Sequence, residues 1–300
     1  FTEFNNYHHQ VLTHFKNKIY QMPINLETIN SFYNKNFKPS EAKIFLKKEA
    51  KKYFIENPKN LEEKIISQIG KPLYEAFIKG YTYKQWGKDP KQLPSTIINR
   101  LPIRFNYNED YFHNCKYQGI PMEGYTNIFK KMLLNKNITI SLNTTFNFQS
   151  KYNDIPILYT GPLDALFDYK FGKLEWRSVY FKKKIINTDD YQGNSVINYA
   201  EKNIKYTRIH EPSHLHPERT YSKKKTLLIY EYPAKKFDEP FYPINDKANR
   251  LIHRKYKSLA NKINNFNFGG RLADYAYYDM DMTISAALKL YENKIKKNFS

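Results

Sequence analysis

The end of the chain limits the possible folds more than any other segment. Residues 265–268 are rich in β-forming side chains and run directly into Gly269-Gly270. Two glycines after a strand let a ligand come close to the backbone, and a following helix offers free N–H groups to a phosphate. The closing helix then carries one apolar stripe, made of Ile284, Leu288, Tyr291 and Ile295. This order predicts an α/β unit with a nucleotide-binding turn, although a plain strand–turn–helix has the same pattern.

The first third of the chain has the periodicity of helices. Residues 25–81 are predicted to be helical, with Ser40 starting one helix and Asn60 starting another. Glu63 lies three residues after Asn60, which is the spacing of a capping box. Gly70 is expected to divide the second stretch. The proline-flanked residues 92–104 break the pattern and are expected to form a mobile loop.

Strand patterns dominate the middle of the chain, where apolar and β-branched residues alternate or cluster between turn residues. The predicted strands are residues 138–142, 155–160, 174–181, 195–199 and 226–232. Asp246 is expected to cap a later helix that reaches about Asn261. The fold class is therefore α/β in the broad sense of mixed α+β, with a helical module set apart.

Charge and composition exclude several classes of protein. The formal net charge is +20, but only eight of the 49 basic residues are Arg, and the lysines are scattered. Nucleic-acid surfaces use Arg as well as Lys, so we expect no nucleic-acid partner. No apolar run approaches the ~20 residues of a membrane helix, and no secretion signal is evident. The single cysteine, Cys115, fits a cytoplasmic protein.

A small set of arginines stands out in this lysine-rich chain: Arg100, Arg104, Arg177, Arg208 and Arg271. A guanidinium binds phosphate or carboxylate with two parallel hydrogen bonds, which Lys cannot do. These positions are therefore candidates for an anionic ligand. The alternative is an ordinary surface ion pair, which we assign to the other three arginines.

Two further clusters have both a functional and a structural interpretation. Residues Gly80–Gly87 place aromatic side chains between glycines, which fits either a stacking platform or the end of a core helix. His210, His214 and His216 have a spacing compatible with zinc, but prolines interrupt the run and no second cluster supports it. We favour a solvated loop and expect no metal. Phosphate-binding P-loop and G-x-G-x-x-G motifs are absent.

Taken together, these motifs resemble bacterial UDP-galactopyranose mutases over essentially the whole chain. The matching segments are residues 23–26, 80–87, 100–105, 117–121, 124–126, 159–162, 167–169, 174–178, 192–194, 206–209, 238–243 and 269–280. The resemblance implies a partial FAD-binding Rossmann-like domain, a helical domain and an antiparallel sheet that are interwoven. The helical substrate domain is expected at 25–100. The sheet is expected at 1–24, 101–118 and 163–240, and the remainder of the FAD-binding domain at 119–162 and 243–300.

The resemblance also implies the chemistry, which is the interconversion of UDP-galactopyranose and UDP-galactofuranose. Reduced FAD would attack the anomeric carbon of the sugar through its N5 atom and form a covalent intermediate while UDP departs. The departing diphosphate needs cations and hydrogen-bond donors. The product would supply galactofuranose for cell-surface glycans, and family members commonly form homodimers.

Site residues are carried over from the family by their motifs. Arg100 and Arg208 match the two phosphate-clamping catalytic arginines, with Arg100 on the mobile loop. The substrate-binding matches are Phe77, Tyr81, Trp86, Tyr111, Arg177, Tyr242 and Tyr277. Of these, Tyr81 stacks on uracil, Trp86 lines the sugar pocket, and Tyr111, Tyr242 and Tyr277 donate to the diphosphate. The cofactor-binding matches near the flavin are Gly270, Arg271, Asp279 and Met280.

Departures from the family keep alternatives open. The N-terminal βαβ unit that anchors FAD is missing from this sequence, so we expect the 300 residues alone to hold FAD weakly or not at all. Trp176 and Phe241 stand where many members have Tyr. A mutase acting on a related sugar such as UDP-N-acetylgalactosamine, and an inactive nucleotide-sugar-binding remnant, are the alternative functions.

Overall fold

A computed structural model describes residues 2–95, 103–112, 115–147, 155–234 and 239–296. The chain divides into two compact units. The first contains residues 1–139 and 179–233, and the second contains 140–178 and 234–300. The three-part division expected from the sequence stays a prediction. No helix in the described residues is both long and apolar enough to cross a membrane.

The first unit is built on a six-stranded sheet with the strand order β2-β1-β6-β7-β8-β5. Its strands are β1 (Val11–Phe15), β2 (Lys18–Met22), β5 (Val179–Ile186), β6 (Val196–Tyr199), β7 (Arg208–His210) and β8 (Thr226–Pro233). Strands β1 and β6 run parallel, and every other pair is antiparallel. The hairpin of β5 and β8 is the longest pairing, from Val179 opposite Pro233 to Ile186 opposite Thr226.

Helices make up the rest of the first unit. They are α1 (Leu26–Tyr33), α2 (Pro39–Lys51), α3 (Leu61–Ile69), α4 (Lys71–Leu73), a π-helical turn (Tyr74–Lys79), α5 (Gly80–Trp86), a 3₁₀ turn (Pro90–Gln92) and α6 (Tyr125–Met132). A further 3₁₀ turn covers Pro212–Leu215. These helices enclose a hydrophobic core. Its most buried side chains are at most 1% exposed and include Leu26, Ile29, Leu61 and Leu73.

The caps of these helices follow most of the sequence signals, but Ser40 does not start α2 as predicted, because α2 begins at Pro39 with Lys38 as its N-cap. Asn25 starts α1 with a reciprocal capping box to Thr28. Asn60 starts α3 as predicted, because its side chain accepts the N–H of Glu63 at 3.0 Å. The Glu63 carboxylate instead accepts the N–H of Lys59 at 2.7 Å, so only half of the expected capping box forms. Gly70 ends α3 at φ +80°, which confirms the predicted break.

In its described residues, the second unit contains two small sheets and four helices. Strand β3 (Ile157–Tyr159) pairs in parallel with β10 (Phe266–Phe268), and β4 (Trp176–Arg177) pairs antiparallel with β9 (Tyr242–Pro243). The helices are α7 (Leu163–Leu166), α8 (Lys247–Ala260), α9 (Gly270–Ala273) and α10 (Met280–Leu290), which a π-helical turn extends over Tyr291–Ile295. Asp246 caps α8 by accepting the N–H of Asn249 at 2.9 Å.

The mixed α/β fold class predicted from the sequence is confirmed by this arrangement. One predicted strand is wrong. Residues 138–142 alternate apolar and polar side chains but lie in an irregular segment outside any sheet, and Leu142 is part of a turn. Ile138, Ile140 and Leu142 are all exposed, and no described residue pairs with them as a neighbouring strand. Alternation alone does not make a strand when no backbone partner takes up its hydrogen bonds.

Candidate active site

Helix α5 carries the aromatic cluster and lies against the connection between β6 and β7. It begins at Gly80, where a Cβ atom would come within 2.3 Å of the Ala200 carbonyl oxygen. Only glycine allows the helix to approach this closely. The structural interpretation of the cluster therefore applies, because the start of α5 is anchored in the protein interior, and the stacking platform stays a prediction.

Tyr81 and Arg208 meet where α5 faces the start of β7. Arg208 is the first residue of β7, and its Nη2 donates to the Tyr81 hydroxyl oxygen at 2.7 Å. Both side chains are partly exposed. The structure thus brings together two of the residues predicted from the sequence, one aromatic and one cationic, which are 127 positions apart.

A buried carboxylate supports this pair from the neighbouring strand. Glu231 on β8 lies directly opposite Arg208, and its Oε1 is 3.1 Å from Arg208 Nε. Thr207 Oγ1 donates to the same oxygen at 2.8 Å, and His210 Nε2 lies 3.6 Å from Oε2. Burial by itself would raise the pKa of Glu231, but its close contact with His210 and the charge of Arg208 outweigh that effect and lower it. Glu231 is therefore negatively charged at neutral pH, and it lies beside Arg208 on the neighbouring strand.

His9 and Tyr111 lie in the same unit. The Tyr111 N–H donates to the His9 carbonyl oxygen at 3.2 Å, and the two rings meet edge to face with centroids 5.4 Å apart. Burial lowers the pKa of His9, and the positive charges of Arg208 and His210 lower it further. His9 is therefore uncharged at neutral pH, and it lies close enough to Arg208 for that charge to affect its pKa.

Lys84 is the least expected member of α5. It is only 7% exposed, and its Nζ donates to the carbonyl oxygens of Tyr199 and Tyr206 at 2.6 and 2.8 Å. Burial lowers its pKa to about 8, although the charge of Glu201 acts in the opposite direction. The sequence analysis missed Lys84 and Glu231, since nothing in a lysine-rich sequence distinguishes a buried lysine from the others.

Two predicted aromatic site residues occupy different environments. Phe77 lies in the helical core, where its ring meets Phe15, Tyr20 and Phe32 edge to face at 5.0–5.8 Å. Phe77 lies four residues before Tyr81, so the two side chains are on neighbouring turns of the same helical segment. Trp86 ends α5 before Gly87 and is partly exposed against the same core.

The remaining arginines of the first unit have different positions. Arg100 lies outside the described residues. Arg104 is buried, and its Nη1 donates to the side-chain and main-chain oxygens of Asn108 and to the Asp110 carbonyl. Its guanidinium holds the loop of residues 104–110, so it serves the protein itself rather than an external anion.

In the second unit, the ribbon of β4 and β9 gathers three predicted residues. Arg177 lies directly opposite Tyr242 in the strand register. The Tyr242 ring stacks on Tyr277, with centroids 5.8 Å apart and planes 15° from parallel. Burial lowers the pKa of Arg177, which still remains a cation at any physiological pH. A guanidinium and two phenols therefore share one small region, and groups of this kind can bind an anion.

Arg271 connects this ribbon to the glycine turn. Its Nη1 donates to the carbonyl oxygens of Pro240 and Phe241, both at 2.7 Å. Its guanidinium carbon lies 5.6 Å from the centre of the Trp176 ring. The Trp176 ring thus provides a surface for the Arg271 guanidinium.

The glycine turn tests whether this unit fits a flavin nucleotide. Strands β3 and β10 are parallel, so the segments after them, Thr160-Gly161 and Gly269-Gly270, lie at the same edge. Gly270 has φ +85°, and the nearest atom to an added Cβ would be Thr160 Cβ at 3.9 Å. The backbone at Gly270 carries no side chain and has open space around its Cα atom, which fits the close approach of a dinucleotide. Asp279 precedes α10, and Met280, its first residue, is exposed.

The histidine run is distributed over separate acidic partners. His210 faces Glu231, and His216 Nδ1 lies 2.7 Å from Glu218 Oε1. His214 Nε2 lies 3.1 Å from Asp190 Oδ1 and 3.7 Å from Glu211 Oε2, and these three ligand atoms lie close enough together to surround a metal ion. The oxygens of Glu211 already accept the backbone N–H groups of residues 191 and 192 and the Thr226 hydroxyl. We therefore interpret this cluster as a set of structural contacts that join residues 190–192 to residues 211–214.

Comparison with known proteins identifies the family. The family profile of UDP-galactopyranose mutase matches residues 76–277. A probable UDP-galactopyranose mutase of Klebsiella pneumoniae is 40% identical over 91% of this chain and 70% of its own length. A dTDP-fucopyranose mutase of Escherichia coli is 35% identical over 94% of this chain and 76% of its own length. The UDP-galactopyranose mutase of Mycoplasma genitalium is 33% identical over 96% of this chain and 76% of its own length.

A solved structure of reduced UDP-galactopyranose mutase superimposes with a TM-score of 0.66 over 91% of this chain and 75% of the other, at 12% identity. That likeness supports the fold. The profile and the sequence relatives together define a family of flavoprotein isomerases. The chain belongs to the UDP-galactopyranose mutase family.

Proposed function

We propose that this protein interconverts UDP-galactopyranose and UDP-galactofuranose with reduced FAD as its cofactor. The contact between Arg208 and Tyr81, backed by the buried Glu231, is the observation that supports the proposal most directly. The contact places a guanidinium next to an aromatic ring. In uridine diphosphate, the anionic diphosphate would bind the guanidinium, and the uracil base would stack on the ring.

Each residue has a role in this proposal that follows from its chemistry. Arg208 stabilises the negative charge that develops on the departing diphosphate, and Arg100 acts with it. The ring face of Tyr81 stacks on uracil while its hydroxyl accepts from Arg208. Trp86 lines the sugar pocket. Tyr111, Tyr242, Tyr277 and Arg177 add donors for the diphosphate.

The cofactor fits the backbone of the second unit. Gly270 and Arg271 follow β10 and would lie along the flavin nucleotide, with Asp279 and Met280 nearby. When bound, reduced FAD would supply a nucleophilic nitrogen for the anomeric carbon of the sugar as the bond from that carbon to the diphosphate breaks. The protein residues hold the sugar in place, neutralise the diphosphate and exclude water during that exchange. No metal takes part in the proposed reaction.

The biological setting is part of the same proposal. The protein acts in the cytoplasm of a bacterium, with the nucleotide sugar as its partner rather than nucleic acid or membrane, and it forms a homodimer. Its product supplies galactofuranose for cell-surface glycans.

A second substrate class has a specific observation in its favour. The relative from Escherichia coli, at 35% identity, carries the name dTDP-fucopyranose mutase, so pyranose–furanose mutases of similar sequence differ in both sugar and base. A mutase acting on another nucleotide sugar, such as UDP-N-acetylgalactosamine, is therefore the runner-up. An inactive nucleotide-sugar-binding remnant is the third hypothesis.

Calorimetric titration with UDP tests the proposal first. We expect micromolar binding by the wild-type protein and binding at least about tenfold weaker by Arg208→Ala, because a charge-assisted pair to the diphosphate is lost. Arg254→Ala, which removes an exposed arginine from α8, is the matched control and keeps wild-type affinity. A folded wild-type protein that binds no UDP would overturn the proposal. Titration with dTDP and UDP side by side decides between the two bases.

A further inference from the structure

Lys84 is a buried cation whose two hydrogen bonds go to carbonyl oxygens, and the charge of Glu201 acts on it only from beyond ion-pair distance. In the described parts of the chain, no carboxylate comes within ion-pair distance of its ammonium group, although the side chain is only 7% exposed. Burying an unpaired ammonium is costly, because water solvates it much better than the protein interior does. A role that depends on this group would account for its position.

The two hydrogen bonds of Lys84 join helix α5 to the ends of one connection. Tyr199 is the last residue of β6, and Tyr206 lies two residues before Arg208. The Tyr199 N–H also donates to the Thr207 carbonyl oxygen at 2.9 Å, so the two ends are closed on each other. Lys84 therefore binds a closed loop rather than two independent strands.

The same helix presents Tyr81 one turn before Lys84. Residues three positions apart lie on one side of a helix, so a tie at Lys84 restrains the position of Tyr81 as well. The direct approach of Gly80 to Ala200 fixes the start of the helix at the same connection. The donor atom of Arg208 and the acceptor atom of Tyr81 thus belong to two segments that Lys84 holds together.

We infer that Lys84 is a positioning residue of the nucleotide site: its bonds to the Tyr199 and Tyr206 carbonyls dock α5 on the β6–β7 connection and so keep the Tyr81 hydroxyl within reach of Arg208. This inference rests on the proposed function, because the Tyr81–Arg208 pair is where we place uracil and diphosphate. Lys84 itself touches neither group of the substrate.

A double-mutant cycle on UDP affinity tests the inference. The four proteins are wild type, Tyr81→Phe, Lys84→Met and the double variant. We expect Lys84→Met to weaken UDP binding about tenfold, since buried carbonyls lose a charged donor and the docking loosens. We also expect Tyr81→Phe to weaken binding by a smaller factor in the Lys84→Met background than in the wild type, because the Tyr81–Arg208 contact is already displaced there. Lys84→Arg keeps a charged donor and restores part of the affinity.

Lys79→Met is the matched control, because it makes the same change at an exposed position just before α5 and should leave UDP affinity unchanged. Should Lys84→Met not fold, Lys84→Gln and Lys84→Arg go through the same cycle. The inference is wrong if the folded Lys84 variants bind UDP with wild-type affinity. It is also wrong if Tyr81→Phe weakens UDP binding by the same factor in the wild-type and the Lys84 variant backgrounds. In both cases wild-type UDP binding would still support the proposed function, which only a wild-type protein that fails to bind would contradict.

Discussion

The two units hold their site residues in place by different means. In the first unit, Tyr81 stands on α5, which follows a helical core of fifteen buried hydrophobic residues in the described part of the chain, and Arg208 stands on the large sheet. In the second unit, the described buried clusters contain only five and three residues. Its helix α10 leaves Ile284 and Leu288 each 61% exposed. Apolar burial thus dominates one unit and is sparse in the other.

Side-chain bonds to the backbone take the place of a large core in the second unit. The Tyr275 hydroxyl donates to the carbonyl oxygens of Glu175 and Ile244, and Asn249 Oδ1 accepts the Glu175 N–H at 3.0 Å. A net hydrogen bond contributes about 1 kcal/mol, whereas a fully buried Leu contributes about 1.5–3 kcal/mol. We therefore expect the second unit to be the less stable of the two.

The chain allows each unit to be followed separately, because one of its two tryptophans lies in each. Trp86 belongs to the first unit and Trp176 to the second. In urea, fluorescence of a Trp176→Phe protein reports the first unit, and fluorescence of a Trp86→Phe protein reports the second. All four stability predictions below use these two backgrounds.

The largest effect is expected from Leu73→Ala in the first unit. Leu73 is fully buried in the helical core, and truncating it costs about 2–5 kcal/mol through lost burial and an unfilled cavity. The urea midpoint reported by Trp86 should fall accordingly, while the Trp176 transition should change far less. A loss below about 1 kcal/mol would show that the core is not the source of the first unit's stability.

A smaller effect is expected from Glu231→Gln, which keeps the shape of the side chain and removes its charge. Arg208 and His210 then lose their negative partner, which should cost about 1–3 kcal/mol at pH 7. The folded protein holds the pKa of Glu231 below its ordinary value, so it favours the charged form. That stability is complete above the ordinary Glu pKa of about 4.3 and is lost as the pH falls through the lower folded value.

Urea titrations at several pH values from 7 to 3 measure this difference directly. The gap between wild type and Glu231→Gln should be widest at neutral pH and should close in acid. A gap that stays constant down to pH 3 would mean that the charge of Glu231 does not act on Arg208.

The sequence predicted local structure better than it predicted the partners of side chains. Asn60, Gly70 and Asp246 mark the helix boundaries correctly, because caps and glycine breaks depend on neighbouring residues alone. Residues 138–142 did not form the predicted strand, because a strand depends on a partner elsewhere in the chain. The parallel pairing of β3 with β10 joins segments more than 100 residues apart.

The candidate site shows the same limit. The motifs identified Tyr81 and Arg208, but their contact depends on how α5 docks on the β6–β7 connection, and the support from Glu231 depends on how β7 pairs with β8. Lys84 has no local signal at all, since its burial comes from packing against Tyr199 and Tyr206. Arg104 is the opposite case, because a sequence signal for anion binding corresponds to a guanidinium that holds its own loop.

In the second unit, Arg271→Lys should cost about 1 kcal/mol. The guanidinium makes two bonds to the Pro240 and Phe241 carbonyls and lies over Trp176, and a point-charge ammonium cannot reproduce that planar arrangement. The Trp86→Phe background should report a lower urea midpoint and a shifted Trp176 emission maximum. Arg250→Lys, on the exposed side of α8, is the matched control. An unchanged midpoint would mean that bonds of this kind do not hold the second unit together.

The smallest effect is expected from Leu288→Ala on α10, and it is the sharpest test of the comparison. A side chain that is 61% exposed has little burial to lose, so the change should stay within about 0.5 kcal/mol on the Trp176 transition. Leu163→Ala, at a fully buried position of the same unit, provides the reference for a true core residue. If Leu288→Ala costs as much as Leu163→Ala, another part of the protein covers α10. The second unit would then owe its stability to apolar burial like the first, and the contrast between the two units would disappear.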